Sequence, residues 1–280
     1  MTAVVPDNAF ISLFKLGKTL KQHRFMEEAY VSSHVEHGIN TIEFYHPQGN
    51  SLPTKILEKL AHEIHFAGTH SETKVIVLKS AGAGAFCGGA SFDELSKIQN
   101  EAEGTRFFSG FANVINAMRK CPKFIIGRLH GKCVGGGVGI AASVDYAIAT
   151  DKCEIKLSEL TFGIAPFVVG PAIERRIGIS AFSHLSIDAA IWRNADWAKR
   201  KGLLSEVHSS AENMDESIAR LSNSLSHYNP ELMKELKKSF WAGTEHWDEL
   251  LREKAALNGK FVTSSYTRKA IEKFNAVLVA

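Results

Sequence analysis

Two glycine-rich segments of the chain combine a turn with backbone N–H groups that could bind an anion. They are residues 84–95 and residues 130–141. Each follows a short apolar run typical of a β-strand and opens a helix, so its turn points unpaired N–H groups outward. Glycine there removes side chains that would keep a ligand at a distance. Neither segment has the spacing of a nucleotide-phosphate loop, and either one alone is more often a tight turn than a binding site.

Besides these turns, one carboxylate is a candidate for chemistry. It is Glu159, in the segment LSELTFGIAP at residues 157–166. The ordinary interpretation of an unplaced glutamate is a surface residue or a helix cap. A single carboxylate can also take a proton from one atom of a ligand and deliver it to another atom on the same face. Which interpretation holds depends on where the fold places Glu159.

The composition describes a globular chain and excludes several classes of function. The 280 residues are 45% hydrophobic and 22% charged, with 33 Lys and Arg against 30 Asp and Glu. This near balance predicts no nucleic-acid partner and no membrane surface, although a small anionic ligand stays possible. The four cysteines have no paired spacing, so we predict neither a metal site nor a disulfide framework, and a cytoplasmic location. No apolar run is long enough to span a bilayer.

The hydrophobic patterns indicate the elements that would position the turns. Two alternating runs, 30–35 and 39–45, flank His37-Gly38 and predict a β-hairpin. Further predicted elements are a helix from Leu52-Pro53, a strand at 75–78, a helix at 107–118, a strand at 124–129, a helix at 136–143 and a strand at 146–149. Strands that alternate with helices favour an α/β fold with mostly parallel strands.

The domain organisation follows from the same patterns. From Ala211 onward the chain predicts only helices, with a start signal at Ser210 and a break at Asn229-Pro230. We therefore divide the chain into an N-terminal extension (1–28), a core (29–209) and a C-terminal helical region (210–280). Residues 8–26 are basic and lack acids, which is compatible with a transit peptide, but we favour a solvated extension or helix.

Three ordered motifs together resemble the crotonase (enoyl-CoA hydratase/isomerase) superfamily. The resemblance extends over residues 29–207, and three motifs in the family's order are improbable as a chance match. The first motif is Phe86-Cys-Gly-Gly-Ala90-Ser-Phe-Asp93; the second comprises His130-Gly131, Gly135-Gly136-Gly137 and Val144-Asp145; the third is the segment around Glu159, and the resemblance ends at Gly202-Leu-Leu-Ser-Glu-Val207.

The resemblance implies a fold and an assembly. The expected fold is a spiral of β-β-α units with a C-terminal helical trimerisation region, and the expected assembly is a homotrimer or a dimer of trimers. The partner would be an acyl-CoA thioester substrate. No metal and no cofactor is implied, other than the coenzyme A that the substrate carries.

The resemblance also implies roles for individual residues. Ala90 and Gly136 would supply the two N–H groups that bind the thioester oxygen, and such donors are typically worth about 3–4 kcal/mol each. Gly88 and Phe92 would lie near the adenine of CoA. Arg268, Lys269 and Lys273 are candidates for its phosphates, although a charge run in a terminal helix is usually solvated. His130 would have a structural role.

Hydratases of the family carry two glutamates, and this chain matches only one of them. Glu159 stands at the second position and would be the catalytic acid-base, whereas Gly139 stands at the first and would enlarge the pocket. The pattern looks like methylglutaconyl-CoA hydratase-like members that lack the first glutamate. We predict hydration of a 2-enoyl-CoA. The alternatives are isomerisation of a 3-enoyl-CoA, another enolate-forming reaction such as decarboxylation or hydrolysis, and a silent acyl-CoA-binding homologue.

Overall fold

The computed structural model describes residues 28–279, so the predicted N-terminal extension and its basic segment lie outside the described residues apart from residue 28. In chain order the strands are β1 (Tyr30–Glu36), β2 (Ile39–Tyr45), β3 (Val75–Ser80), β4 (Phe124–Leu129), β5 (Cys133–Val134), β6 (Tyr146–Thr150), β7 (Glu154–Lys156), β8 (Arg193–Asn194) and β9 (Glu206–His208). A six-stranded sheet has the order β1-β2-β3-β4-β6-β9, and β5, β7 and β8 form a smaller sheet.

The helices pack around these sheets. In chain order they are α1 (Thr54–Thr69), α2 (Phe92–Leu95), α3 (Glu101–Lys120), α4 (Gly136–Ser143), α5 (Gly170–Ile187), α6 (Ala195–Arg200), α7 (Ala211–Ser226), α8 (Pro230–Phe240), α9 (Trp247–Val262) and α10 (Ser265–Val279), with a 3₁₀ turn at Glu159–Phe162. Beyond the antiparallel pair β1 and β2, all neighbours in the large sheet are parallel. The α/β class with mostly parallel strands is thus confirmed.

The β1–β2 hairpin forms where the sequence predicts it. His37 and Gly38 both have positive φ, 49° and 81°, as the two central residues of a type I′ turn require. Along β2, Asn40, Ile42 and Phe44 are buried while their neighbours are partly exposed, so the strand shows the two-residue period expected of one covered face. This hairpin sets the register of the large sheet at its antiparallel edge.

Helix α3 begins earlier than its apolar pattern predicts. The pattern starts near Phe107, but the helix starts at Glu101 because the side chain of Asn100 accepts a hydrogen bond from the Glu103 N–H at 3.0 Å. Such a cap satisfies an N–H that the first helical turn leaves unpaired. The added turn is polar and therefore invisible to hydrophobic periodicity.

The two glycine-rich segments are joined to each other by backbone hydrogen bonds. The Cys87 N–H donates to the Lys132 carbonyl at 3.1 Å, and the Val134 N–H donates to the Cys87 carbonyl at 2.9 Å. These bonds form a parallel bridge between Cys87 and Cys133. Residues far apart in the sequence are thereby fixed side by side.

The C-terminal helices join the same structure as the core. Residues of α7 such as Met214 and Ile218 pack on the outer face of the large sheet, and Phe274 of α10 belongs to the main hydrophobic core. Helix α8 is tied to the core by the buried Lys237, whose Nζ lies 2.7 Å from Asp145 Oδ2. The predicted starts at Ser210 and Asn229 are confirmed, since both side chains cap their helices. The boundary at residue 210 stays a prediction.

None of the helices within residues 28–279 is long and apolar enough to cross a membrane.

Candidate active site

A cavity of about 70 Å³ lies between the two glycine turns, the 3₁₀ turn and helices α3 and α9. Most of its wall is apolar, and the polar side chains that line it are Ser158, Glu159 and Asn258. Of the residues predicted to form the site, the structure brings five to this cavity: Gly88, Ala90, Phe92, Gly136 and Glu159. It leaves Gly139 outside the lining. The roles assigned to these residues stay predictions.

The backbone amides of Ala90 and Gly136 are available for a ligand. Gly136 is the first residue of α4, where an N–H has no partner within the helix. Within residues 28–279, neither the Ala90 N–H nor the Gly136 N–H donates a hydrogen bond. The two turns approach closely, because a Cβ placed on Gly89 would lie 3.6 Å from the Gly136 nitrogen. The site can therefore present two N–H donors to one small group, with the positive end of α4 behind one of them.

Packing explains why residue 136 is glycine. A Cβ on Gly136 would lie 2.1 Å from a ring carbon of Phe111 on α3. No real side chain can occupy that space unless the ring moves. The sequence argument attributed the glycine to the approach of a ligand, whereas the structure adds close packing on the opposite side.

Glu159 is buried beside the glycine turn. It opens the 3₁₀ turn after β7, and its Oε1 lies 2.9 Å from the place of a Cβ on Gly135. Its Oε2 is buried without a hydrogen-bond partner in the described chain. Burial raises the pKa of Glu159 to about 7, because desolvation penalises the charged form more than a backbone hydrogen bond favours it. A carboxyl group with that pKa can both accept and donate a proton near neutral pH.

Val169 fills the volume beside Gly139, and the effect of Gly139 on the pocket stays a prediction. A Cβ on Gly139 would lie 2.6 Å from Cβ and 2.5 Å from Cγ1 of Val169, the residue that precedes α5. Val169 fills the volume that a side chain at position 139 would occupy, and Val169 itself lines the cavity. The absence of a side chain at one position is therefore compensated by a branched side chain at another.

Sequence reasoning missed Asn258. This residue lies on the buried face of α9 in the series Leu251, Ala255, Asn258 and Val262, and it is 3% exposed. The signal that could have found it is a polar residue at a position where helical spacing predicts an apolar one. Its Oδ1 has no hydrogen-bond partner in the described residues.

The remaining candidate residues lie away from the cavity lining. Both ring nitrogens of His130 are buried without partners in the part of the chain described here, and burial lowers its pKa to about 4, so the ring is neutral. The Arg268 guanidinium donates to the Gln99 and Thr263 carbonyls at 3.0 and 3.2 Å. Phosphate binding by Arg268, Lys269 and Lys273 stays a prediction. Over residues 28–279 no three metal-ligating side chains converge.

Comparison with known proteins identifies the family of the chain. The model of the enoyl-CoA hydratase/isomerase family matches residues 34–275. Human mitochondrial 3-hydroxyisobutyryl-CoA hydrolase is 27% identical over 135 residues, which are 46% of this chain and 35% of that protein. Mouse mitochondrial methylglutaconyl-CoA hydratase is 28% identical over 159 residues, which are 56% of this chain and 50% of that protein. The matches thus cover between about a third and a half of the length of these relatives.

Solved structures share the fold at low sequence identity. The crystal structure of an enoyl-CoA hydratase from Bacillus halodurans superposes with a TM-score of 0.80 at 18% identity, covering 87% of this chain and 99% of that one. At that identity the likeness concerns the fold alone. The superposition confirms the fold class, including the C-terminal helices. It does not identify the reaction, which has to be argued from the residues of the site.

Proposed function

The chain belongs to the enoyl-CoA hydratase/isomerase family, and from that premise we propose that it adds water to a 2-enoyl-CoA, with Glu159 transferring the proton. The support comes from a single cavity that holds a buried carboxylate with a pKa of about 7 and two backbone N–H groups that have no hydrogen-bond partner within residues 28–279. The carboxylate and the amides are what addition to a polarised double bond needs. Besides the chain's own residues and the thioester, the addition takes one water molecule as co-substrate.

The two amides would act on the thioester oxygen. Attack of water on the β-carbon drives electrons toward the carbonyl and produces an enolate, in which the oxygen carries negative charge. N–H groups of Ala90 and Gly136 that donate to this oxygen stabilise the enolate more than the neutral substrate, which lowers the barrier. Because these donors belong to fixed turns, they need little reorganisation during the reaction.

Glu159 would carry the proton between the two carbons. Its ionised form accepts a proton from the attacking water, and the resulting carboxylic acid delivers that proton to the α-carbon of the enolate. The atoms of one water molecule are thereby distributed over the double bond. The mostly apolar wall keeps the carboxyl pKa near the pH at which both steps are feasible.

Isomerisation of a 3-enoyl-CoA is the second candidate, and Val169 is the observation that favours it. Since Val169 fills the volume beside Gly139, no second carboxylate can orient a water molecule there. In isomerisation, Glu159 would take a proton from the α-carbon and return it to the γ-carbon, so no water would be needed. The same amides would stabilise the same type of enolate.

A panel of thioesters separates these reactions. The purified protein is incubated with 2-enoyl-CoA and 3-enoyl-CoA substrates of several chain lengths, and the products are followed by mass. Hydration adds the mass of one water, whereas isomerisation leaves the mass unchanged and moves the double bond. If thioesters bind but none is converted, the protein is a silent binder and both proposed reactions are refuted.

We also propose that the chain assembles as a homotrimer or a dimer of trimers. Helix α8 exposes Leu232, Leu236 and Phe240 at a spacing of four residues, with 67%, 45% and 49% of their surfaces accessible. Residues spaced this way share one face of a helix, and such a face favours association. Light scattering should give the mass of three or six chains, and the double variant Leu232→Glu/Leu236→Glu should lower it. A stable monomer of the wild type at micromolar concentration contradicts this assembly.

A further inference from the structure

Asn258 is a polar side chain on the apolar face of a buried helix. Its neighbours along this face of α9 are Ala255 and Val262, and its side chain lines the cavity that contains Glu159. It is 3% exposed, and its Oδ1 lacks a hydrogen-bond partner in the described chain. A buried amide oxygen without a donor is rare in folded proteins, where such groups are nearly always paired. The missing donor is therefore to be sought in a ligand of the cavity.

The crossing of two helices locates Asn258 within the cavity. The adjacent residue Gly259 packs against Gly104 of α3, since a Cβ on Gly104 would lie 2.8 Å from the Gly259 Cα. The ring of Phe111, seven residues further along α3, lies where a Cβ on Gly136 would be. Asn258 and Gly136 therefore meet α3 at different levels along its axis.

This separation assigns Asn258 to the part of the substrate remote from the thioester. We propose that Asn258 determines specificity by binding a hydroxyl group in the acyl chain, so that the substrate class is hydroxylated acyl-CoA thioesters. The inference rests on the proposed action on acyl-CoA. A hydroxyl group can donate to Oδ1 and accept from Nδ2, so it satisfies the amide in either of its two orientations.

The lining of the cavity argues against other acyl groups. An unsubstituted alkyl chain would leave the Asn258 amide buried and unpaired, which weakens binding. A carboxylate would be buried among apolar groups without a counter-ion, because no Lys, Arg or His lines the described cavity. The single ionisable group there is Glu159, whose charge would repel an anion. A neutral hydroxyl avoids both costs.

Binding of saturated acyl-CoA thioesters tests the inference without turnover. Three thioesters of equal chain length are compared by calorimetry: one with a terminal hydroxyl, one unsubstituted and one with a terminal carboxylate. Wild type should bind the hydroxylated thioester at least about fivefold more tightly than the unsubstituted one, and the carboxylated one should bind worst. In Asn258→Leu the preference for the hydroxyl should disappear. The control Asn113→Leu changes an exposed asparagine of α3 and should keep it.

Each outcome decides between the inference and the proposed function. If wild type binds the hydroxylated and unsubstituted thioesters equally, Asn258 does not select a hydroxyl, and this comparison holds even if Asn258→Leu fails to fold. A folded Asn258→Leu that weakens all three thioesters equally also overturns the inference, because the residue would then contact the shared CoA part. If the preference is present but no enoyl-CoA is converted, the proposed reaction fails and the inference stands. If no thioester binds, both fail.

Discussion

The two ends of the cavity differ in the groups that line them: backbone groups of turns at one end and side chains of helices at the other. At the end proposed to hold the thioester, the candidate groups are backbone amides and one glutamate, held by turns that contain glycines. At the end proposed to hold the acyl chain, the candidate groups are side chains of α3, α9 and the loop before α5, such as Asn258 and Val169. A turn that exposes backbone N–H groups leaves a local pattern in the sequence, whereas a side chain at a helix crossing acquires its role only through tertiary packing.

Among the variants that test this comparison, Glu159→Gln is expected to have the largest effect, and the affected quantity is turnover. The change removes the base but keeps size and hydrogen bonding, so turnover should fall by roughly 10²–10⁴-fold while thioester binding is retained. The measurement is kcat on the best substrate, with Kd for a saturated thioester alongside. The matched control is Glu154→Gln on β7, which changes a half-buried glutamate that pairs with Lys132 at 3.3 Å. Unchanged turnover in Glu159→Gln contradicts the mechanism.

Deleting one backbone donor tests the other component of the thioester end. Ala90→Pro removes an N–H that makes no hydrogen bond within residues 28–279, and it adds no new Cβ. Turnover should fall by about 10²–10³-fold, whereas Ala90→Gly, which keeps the N–H, should stay close to wild type. The same change at Gly136 is less informative, because a proline ring would collide with Phe111. A folded and fully active Ala90→Pro variant would remove this amide from the oxyanion site.

The burial of Glu159 predicts a pH dependence of stability. Its pKa is about 7 in the folded chain against 4.5 as the ordinary value, so the folded state holds a proton that the unfolded state has released between these pH values. This contribution is fully present below pH 4.5 and is lost as the pH rises to 7, which costs roughly 3 kcal/mol. In urea unfolding at pH 5 and pH 8, Glu159→Gln should lose less stability than wild type. Equal losses would show that the carboxyl group is not desolvated.

The pair Gly139 and Val169 offers a test at the boundary between the two ends. Gly139→Glu alone should lower the free energy of unfolding by about 1–3 kcal/mol, because the new side chain overlaps Val169. The double variant Gly139→Glu/Val169→Gly should recover part of this loss and should raise hydration more than isomerisation, since the second carboxylate can then orient water. Thermal unfolding and product analysis by mass measure the two effects. If Gly139→Glu alone is as stable as wild type, Val169 moves aside without lowering the free energy of unfolding.

The sequence predicts the fold far better than it predicts the acyl end. The hairpin at His37-Gly38, the helix 136–143 and the caps at Ser210 and Asn229 depend on local turn and cap chemistry, and all are confirmed. The start of α3 was misplaced because a capped polar turn carries no apolar period.

The surroundings of two residues at the site are set by tertiary contacts. The sequence does not reveal that residue 169, thirty positions after Gly139, fills the volume beside that glycine. Asn258 leaves a local signal, a polar residue at an apolar position of α9, but this signal does not say which cavity the side chain lines. The surroundings of both residues depend on contacts between segments remote in the sequence.

The residues around the cavity are synthesised at different times, and this order affects how the chain folds during translation. Phe92 and Phe162 line the cavity and contact Phe274, with ring centroids at 4.5 and 5.1 Å. During translation, the chain through Phe162 is completed more than a hundred residues before Phe274 is added. Until then the two rings lack this cover, and exposed apolar surface makes a nascent chain prone to aggregate. Completion of helix α10 would thus also end the period in which these rings are exposed on the growing chain.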